Sequence, residues 1–238
     1  MKEKLLSLIL ILVLNSVIAQ KIYSDKIYDA YVYDKMDDWK NVCDTMQLNT
    51  SKDANFIFCR INYEYGYIGW CLKNEKKEQA RKYLKLLEND ISIAEEKAYD
   101  KSLINSYKSA YYAFSAGLNV VMAPINAPKS NEYANLSIKQ DSLNYFAYIQ
   151  LANNYRFTPK IFGGSKVKAI TYYKVASILF AKTYKNKRNW NYLWILTSIL
   201  EVYIELDNDE KAKEYCDTIL KLEPDYIYVK NILLELQN

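Results

Sequence analysis

The stretch Leu196–Pro224, LTSILEVYIELDNDEKAKEYCDTILKLEP, contains two helical patterns separated by a short polar turn. Its first part is almost wholly apolar, and its second part repeats apolar residues three or four positions apart, as one face of a helix does. Asp207-Asn208 forms the turn, and Pro224 stands where a helix ends or a new one begins. This stretch predicts a pair of antiparallel helices joined by a tight turn.

The same spacing of apolar residues extends over almost the whole chain. Glycine and proline are scarce, with five and four residues in 238, whereas folds made of strands and turns need more turn residues. We therefore predict an all-α protein with about 10 helices.

Two interruptions are predicted in this helical pattern. Pro124 and Pro128 bracket a loop from Ala123 to Ser130, and a second loop runs from Thr158 to Gly164. The segment from Tyr111 to Leu118, just before the first loop, is apolar on nearly every side, which predicts a helix buried on more than one face.

The first 19 residues have the pattern of a secretory signal peptide. A basic start precedes the apolar run from Leu5 to Leu14, and Val17 and Ala19 are the small residues expected before a cut. We expect cleavage after Ala19 and a periplasmic or secreted protein of residues 20–238 with no membrane span. An uncleaved N-terminal anchor is the alternative.

Charge and cysteine usage exclude several classes of site. The formal net charge is +4, with both signs interspersed along the chain, so no nucleic-acid partner is expected. The chain has no histidine and no CxxC pair, so we expect no metal and no cofactor. Cys43 and Cys59 could form a disulfide across a helical hairpin. We favour the alternative that all four cysteines are small, buried, apolar residues.

The C-terminal helix pair resembles a tetratricopeptide repeat. Tyr203 stands nine residues before Ala212, which stands twelve before Pro224, and these are the family's intervals for its aromatic, small and terminal proline residues. A preceding unit has fourteen residues between Tyr155 and Ala169 instead of nine. The resemblance implies a right-handed superhelix of antiparallel helix pairs, a tetratricopeptide-like α-solenoid, with a concave binding surface.

The extra length is the segment RFTPKIFGG, residues 156–164. The run TPKIFGGSKVKA, residues 158–169, is similar to a loop in exported bacterial helical-repeat proteins, including the T-component proteins associated with transporters that depend on a substrate-binding protein. On this basis the mature chain divides into degenerate helical-hairpin repeats at 20–130 and tetratricopeptide-like repeats at 131–238, which contain the Pro-Lys-Ile-Phe-Gly-Gly loop.

Two candidate sites follow from the repeat register. The first is the concave groove, an aromatic surface of mixed charge that suits a peptide or a small organic ligand. Its predicted residues are Tyr65, Ile149, Asn153, Arg156, Phe157, Trp194, Glu201 and Glu205. The second is the loop at Phe162, Gly163 and Gly164, where glycine lets a backbone approach a ligand closely. The alternative for this loop is a tight turn that docks its apolar residues onto the stack.

Catalysis is not expected, because histidine, the commonest general base, is missing and no nucleophile elbow or zinc-binding helix motif is present. We predict a non-catalytic exported adaptor or scaffold whose groove binds a protein or peptide partner. The alternative is a soluble small-ligand-binding component of a transport system.

Overall fold

The computed structural model describes residues 20–51, 53–184 and 188–237. Within these ranges the chain forms eleven α-helices and no strand, so the all-α prediction is confirmed. The helices are α1 (20–32), α2 (Met36–Gln47), α3 (Ala54–Lys73), α4 (Lys77–Glu96), α5 (Lys101–Leu118), α6 (Ala123–Gln140), α7 (Tyr145–Phe157), α8 (Lys166–Thr183), α9 (Trp190–Ile204), α10 (Asp209–Leu222) and α11 (Ile227–Glu235). Single 3-10 turns, Val120–Met122 and Lys160–Phe162, precede α6 and α8.

The predicted signal peptide, residues 1–19, and its cleavage site lie outside the described residues. Within the part that is described, no helix is both long enough and apolar enough to cross a membrane.

Short polar side chains begin six of the helices. Each accepts a hydrogen bond from a backbone N–H in the first turn, which would otherwise lack a partner. These residues are Asp53, Asp100, Asn144, Ser165, Asn189 and Asn208. The helix boundaries are thus encoded locally.

Consecutive helices pack antiparallel, and serine contacts show this for α5, α6 and α7. Ser109 of α5 donates a hydrogen bond of 2.7 Å to the carbonyl oxygen of Ser130 in α6, and Ser130 donates one of 2.8 Å to Asn154 in α7. At the other end of the α5–α6 pair, Ser102 of α5 donates a hydrogen bond to the carbonyl oxygen of Ser137 in α6. Helices α5 and α7 are therefore parallel, with their C-terminal ends on the same side of the molecule.

Helices α3, α5, α7 and α9 form an inner layer, and α4, α6, α8 and α10 run back outside it. The outer helices bury one face, whereas α9 buries most of its residues. The inner layer closes on itself, because Asn191 of α9 donates a hydrogen bond of 3.0 Å to Asn62 of α3. At the other end of the same helix pair, Lys73 and Glu201 form an ion pair of 2.7 Å.

The first helix packs against the last part of the chain. Tyr28 of α1 donates a hydrogen bond of 2.8 Å to Glu223, and Asp29 forms an ion pair of 2.6 Å with Arg188. The rings of Tyr31 and Tyr226 lie 5.2 Å apart, measured between centroids. These contacts join the two ends of the chain, which an open stack of repeats would hold apart.

Gly66 of α3 marks the place where α2, α3 and α9 approach most closely. The rings of Trp39 and Trp190 pack edge to face with centroids 4.9 Å apart, over the position where any other residue would carry a Cβ. A Cβ at Gly66 would lie 2.5 Å from Trp39 and 2.8 Å from Trp190. The absence of a side chain here is what allows the two indole rings to meet.

The loop predicted from Ala123 to Ser130 is wrong, because helix α6 begins at Ala123. Pro124 stands in its first turn, where the missing N–H costs nothing, and Pro128 is accommodated inside the helix. The predicted division between 130 and 131 consequently lies within a continuous helix.

The predicted burial of Tyr111 to Leu118 is also wrong. Residues 111–116 and 118 are only half-buried and Gly117 is exposed, whereas the buried residues of α5 lie between Ser102 and Ala110. The reason is that the α5–α6 hairpin projects beyond the neighbouring helices. Helix α5 continues nine residues past Ser109, whereas α7 ends three residues past Asn154, a difference of roughly 9 Å.

The four cysteines are free thiols in this structure. Cys43, Cys71 and Cys216 are buried and Cys59 is half-buried, and no disulfide joins Cys43 to Cys59 within the described residues. Burial raises the pKa values of Cys59, Cys71 and Cys216 to about 11, which makes these thiols poorly reactive.

A buried cluster of charged and polar side chains lies between α2, α3 and α4. Arg60 binds Asp90 through two donors, and its Nε lies 2.5 Å from the carboxylate. Gln47 donates to both Asp90 and Glu64. Glu64 is fully buried, and its second carboxylate oxygen has no hydrogen-bond partner among the described residues. Burial, followed by the charge of Asp90, raises the pKa of Glu64 well above its ordinary value.

This raised pKa predicts that stability falls with rising pH. Protonated Glu64 is favoured in the folded chain, so the folded state binds more protons than the unfolded state between the ordinary and the raised pKa values. The stabilisation is complete below the ordinary pKa and is lost as pH rises through the raised one. We expect Glu64→Gln to abolish this component of the dependence of stability on pH. The measurement is the midpoint of urea unfolding at a series of pH values. An unchanged slope in the variant would contradict the assignment.

Candidate functional site

Tyr65 of the inner helix α3 is linked by hydrogen bonds to the inner helix α7 and, through it, to the outer helix α8. Its hydroxyl accepts a hydrogen bond of 3.1 Å from Asn153 of α7, and Tyr173 of α8 donates one of 2.5 Å to the same asparagine. Burial raises the pKa of Tyr65 to about 12, so the phenol remains neutral. Residues predicted for the groove from distant parts of the sequence are thus bonded to one another.

Aromatic rings fill the inner face at the level of Tyr65. The centroids of Phe146 and Phe114 lie 5.0 and 5.4 Å from its ring, and those of Trp194 and Trp190 lie 6.2 and 6.5 Å away. We call this group of five rings the aromatic floor. It closes the groove at this level, so the concave surface is not an open channel along its whole length.

One helical turn beyond the floor, the inner face is open. Gly69 follows Tyr65 by four residues and Gly117 follows Phe114 by three, so each lies on the same face as the ring before it. A Cβ at either glycine would meet no atom within 4 Å. Phe157 of α7, which follows Asn153 by four residues, is 68% exposed at this height. We call this region, bounded by Gly69, Gly117 and Phe157, the open end.

An ion-pair network stands beside the open end. Arg156 donates to Glu201 at 2.9 Å and to Glu205 at 2.6 Å. Lys73 also binds Glu201, and Lys166 also binds Glu205. Three cations thus share two carboxylates, which leaves one excess positive charge.

Burial alone would raise the pKa of Glu201, but the charges of Arg156 and Lys73 outweigh it and hold that pKa below its ordinary value. Tyr228 of α11 adds a hydrogen bond of 2.7 Å to the same carboxylate. Glu201 is therefore ionised and fully engaged within the protein.

The predicted glycine loop is a tight turn, but it does not dock its apolar residues. Gly163 has a φ of +93°, and a Cβ at Gly164 would lie 1.7 Å from the carbonyl oxygen of Thr158, so both positions require glycine. The side chains of Ile161 and Phe162 nevertheless point into solvent, with 85% and 75% of their surfaces exposed. The loop therefore adds an apolar edge beside Phe157.

Most of the predicted groove residues meet at or near the open end. Tyr65, Asn153 and Trp194 lie at the floor, and Arg156, Phe157, Glu201 and Glu205 lie above or beside it. Ile149 is the exception, because it is fully buried in the core and has no surface for a ligand.

Several contributors to this region were not predicted, namely Lys73, Phe114, Gly117, Phe146, Lys166, Trp190 and Tyr228. Phe114 and Gly117 belong to an apolar helix whose pattern does not separate buried from projecting positions. Lys73 and Tyr228 arrive through the closure of the inner layer, for which the sequence carries no local signal.

A second depression of about 390 Å³ lies between α1 and α2. Its lining includes Lys26, Asp29, Lys35 and Asp38, and it is open to solvent. None of the predicted site residues lines it.

No family profile matches the chain, and no curated protein matches it. Among solved structures, the fold is similar to that of the HusA haemophore from Porphyromonas gingivalis, with a TM-score of 0.57. The match covers 76% of this chain and 94% of that protein at 16% sequence identity. At this identity the likeness shows a shared fold alone, and the tetratricopeptide resemblance stays a prediction.

Proposed function

We propose that this chain is an exported, non-catalytic protein that binds a small amphipathic organic ligand at its open end. The observation that carries the proposal is the unfilled space at Gly69 and Gly117, directly above the aromatic floor. A flat apolar body would pack on aromatic side chains there, and an anionic group would complete the network around Arg156 and Lys166. Such a protein would serve as the soluble ligand-binding component of a transport system.

The polar groups near the open end favour a small ligand over a peptide. Asn153, Arg156 and Glu201 are already bonded within the protein. A peptide buried here would find few donors and acceptors for its backbone, and unpaired backbone groups are costly to bury. The adaptor role for a protein or peptide partner is therefore the second candidate, supported by the exposed apolar residues Ile161 and Phe162.

Haem is the ligand that we propose to test first. The structurally similar protein is named a haemophore, and haem combines a flat apolar ring with anionic propionates. Because the chain has no histidine, haem would be held by aromatic packing and by ionic contacts of the propionates, without an imidazole ligand. This mode of binding predicts that a porphyrin without iron binds as well.

The test is titration of the protein with haemin and with metal-free protoporphyrin, followed by the Soret band and by tryptophan fluorescence. We expect both ligands to bind with comparable affinity. The double variant Gly69→Leu/Gly117→Leu places side chains in the open space and is expected to weaken both affinities by at least about tenfold, because the ligand loses its room.

A loss of ligand binding in the double variant must be distinguished from a loss of folded protein. A Cβ at either glycine meets no atom within 4 Å, and leucine raises helix propensity, so we expect the melting temperature not to fall. Leu143→Ser, at an exposed apolar position on the opposite end, is the matched control and should bind like the parent protein. Failure of the parent protein to bind either porphyrin would contradict haem as the ligand. Unchanged binding by the double variant would contradict the site.

A further inference from the structure

The middle of the chain carries a large excess of positive charge. Residues 101–200 contain thirteen lysines and arginines and two acidic residues, and 142–200 contain no acidic residue. These residues form helices α5 to α8 and most of α9. The acidic residues are concentrated in the rest of the chain, so the two central hairpins, α5–α6 and α7–α8, have a basic character that the net charge of +4 conceals.

The same two hairpins expose apolar side chains at their connections. Val120 and Val121 are 79% and 85% exposed, and Met122 and Ile125 beside them are partly exposed. We call these four residues the α5–α6 tip. Because α5 and α7 are parallel, the tip lies at the same end of the molecule as Ile161 and Phe162 of the α7–α8 loop. An exposed apolar surface of this kind marks an interaction site.

Lysines stand behind these apolar residues. Lys129 lies six residues into α6, roughly 9 Å back from the tip along the helix axis. Lys160 lies within the loop, and Lys168 lies in the first turn of α8. None of these three lysines forms an ion pair with another described residue; Lys129 and Lys168 lie over the rings of Tyr112 and Tyr155.

We infer that the α5–α6 tip and the α7–α8 loop dock the protein onto a lipid bilayer that contains anionic lipids. The apolar residues of the α5–α6 tip lie roughly 9 Å ahead of Lys129 along the axis of α6, far enough to enter the boundary between headgroups and acyl chains, where apolar faces are buried about 5–10 Å deep. The lysines then lie at the level of the headgroups, where each contributes about fivefold to binding. Docking in this orientation turns the open end toward the membrane, but it does not depend on which ligand is bound there.

The experiment is cosedimentation of the protein with vesicles of phosphatidylcholine alone and of phosphatidylcholine and phosphatidylglycerol in equal parts. The protein is used as recovered after export, so that its N-terminal state is identical in every variant. We expect binding to the anionic vesicles that weakens with salt, and little binding to the neutral ones. Val120→Ser/Val121→Ser and Lys129→Glu/Lys160→Glu should each reduce binding about tenfold or more.

Matched controls lie at the opposite end of the same hairpins. Leu143→Ser removes an apolar side chain that is 66% exposed, and Lys139→Glu reverses an exposed lysine of α6; both should leave binding unchanged. The inference is overturned if the anionic vesicles do not bind the protein, or if the controls lower binding as much as the tip variants. It is also overturned if the tip residues instead join two copies of the chain in solution. Porphyrin affinity, measured on the same variants, reports separately on the ligand site.

Discussion

Gly66→Ala is expected to destabilise the protein by about 3 kcal/mol, the upper part of the range for overpacking a well-filled core. The new methyl group would lie 2.5 Å from the ring of Trp39 and 2.8 Å from that of Trp190. Neither ring can move freely. The indole N–H of Trp39 donates to the carbonyl oxygen of Tyr63 at 2.9 Å, and that of Trp190 donates to Asn62 at 3.0 Å. The measurement is the free energy of unfolding in urea.

Gly69→Ala, one turn further along α3, is the matched control. Its methyl group meets nothing within 4 Å, so only the gain in helix propensity remains, up to about 1 kcal/mol. The two substitutions are chemically identical and should change stability in opposite directions. Equal effects would show that Trp39 and Trp190 do not pack over Gly66 as described.

Arg60→Met is expected to cost about 3–5 kcal/mol. Methionine keeps much of the apolar length of the arginine side chain but removes its charge. The carboxylate of Asp90 then remains buried without a cation and close to the buried carboxyl group of Glu64. The double variant Arg60→Met/Asp90→Asn should recover most of the lost stability, because replacing both members of a buried ion pair often changes the free energy of unfolding little.

The control for this substitution is Arg81→Met, which breaks an exposed ion pair with Glu78 on α4. Exposed pairs contribute about 0–1 kcal/mol, so the urea midpoint should hardly move. A similar loss in both single variants, or no recovery in the double variant, would contradict a structural role for the buried pair.

The helix pairs of the C-terminal half are predictable from the sequence because each contains its own boundaries. Helix α10 begins at Asp209 and ends at Leu222, where the pattern places it, because Asn208 caps it and the chain turns at Pro224. The predicted groove also includes both Asn153 and Tyr65, which come from different halves of the chain and are hydrogen-bonded to each other.

Two features lie beyond such a prediction. The sequence of α5 shows that residues 111–118 are mostly apolar. It does not show that the α5–α6 hairpin projects beyond its neighbours, because this projection depends on where α7 ends. The contact between Tyr28 and Glu223 joins positions 195 residues apart, and no local spacing encodes it. Consequently the sequence locates much of the candidate site but misses Gly117 and Lys73, which complete it.

The contacts between the two ends of the chain also determine the order in which the molecule can assemble. During synthesis, α1 is made long before Glu223 and Tyr226. Until those residues are added, Tyr28 and Tyr31 of α1 lack the contacts that they make in the folded protein. The hairpins between them need only neighbouring segments and can form early, because short-range contacts require little loop closure. We therefore expect the ends to join late in folding, because this contact spans almost the whole described chain and loop closure over such a distance is slow.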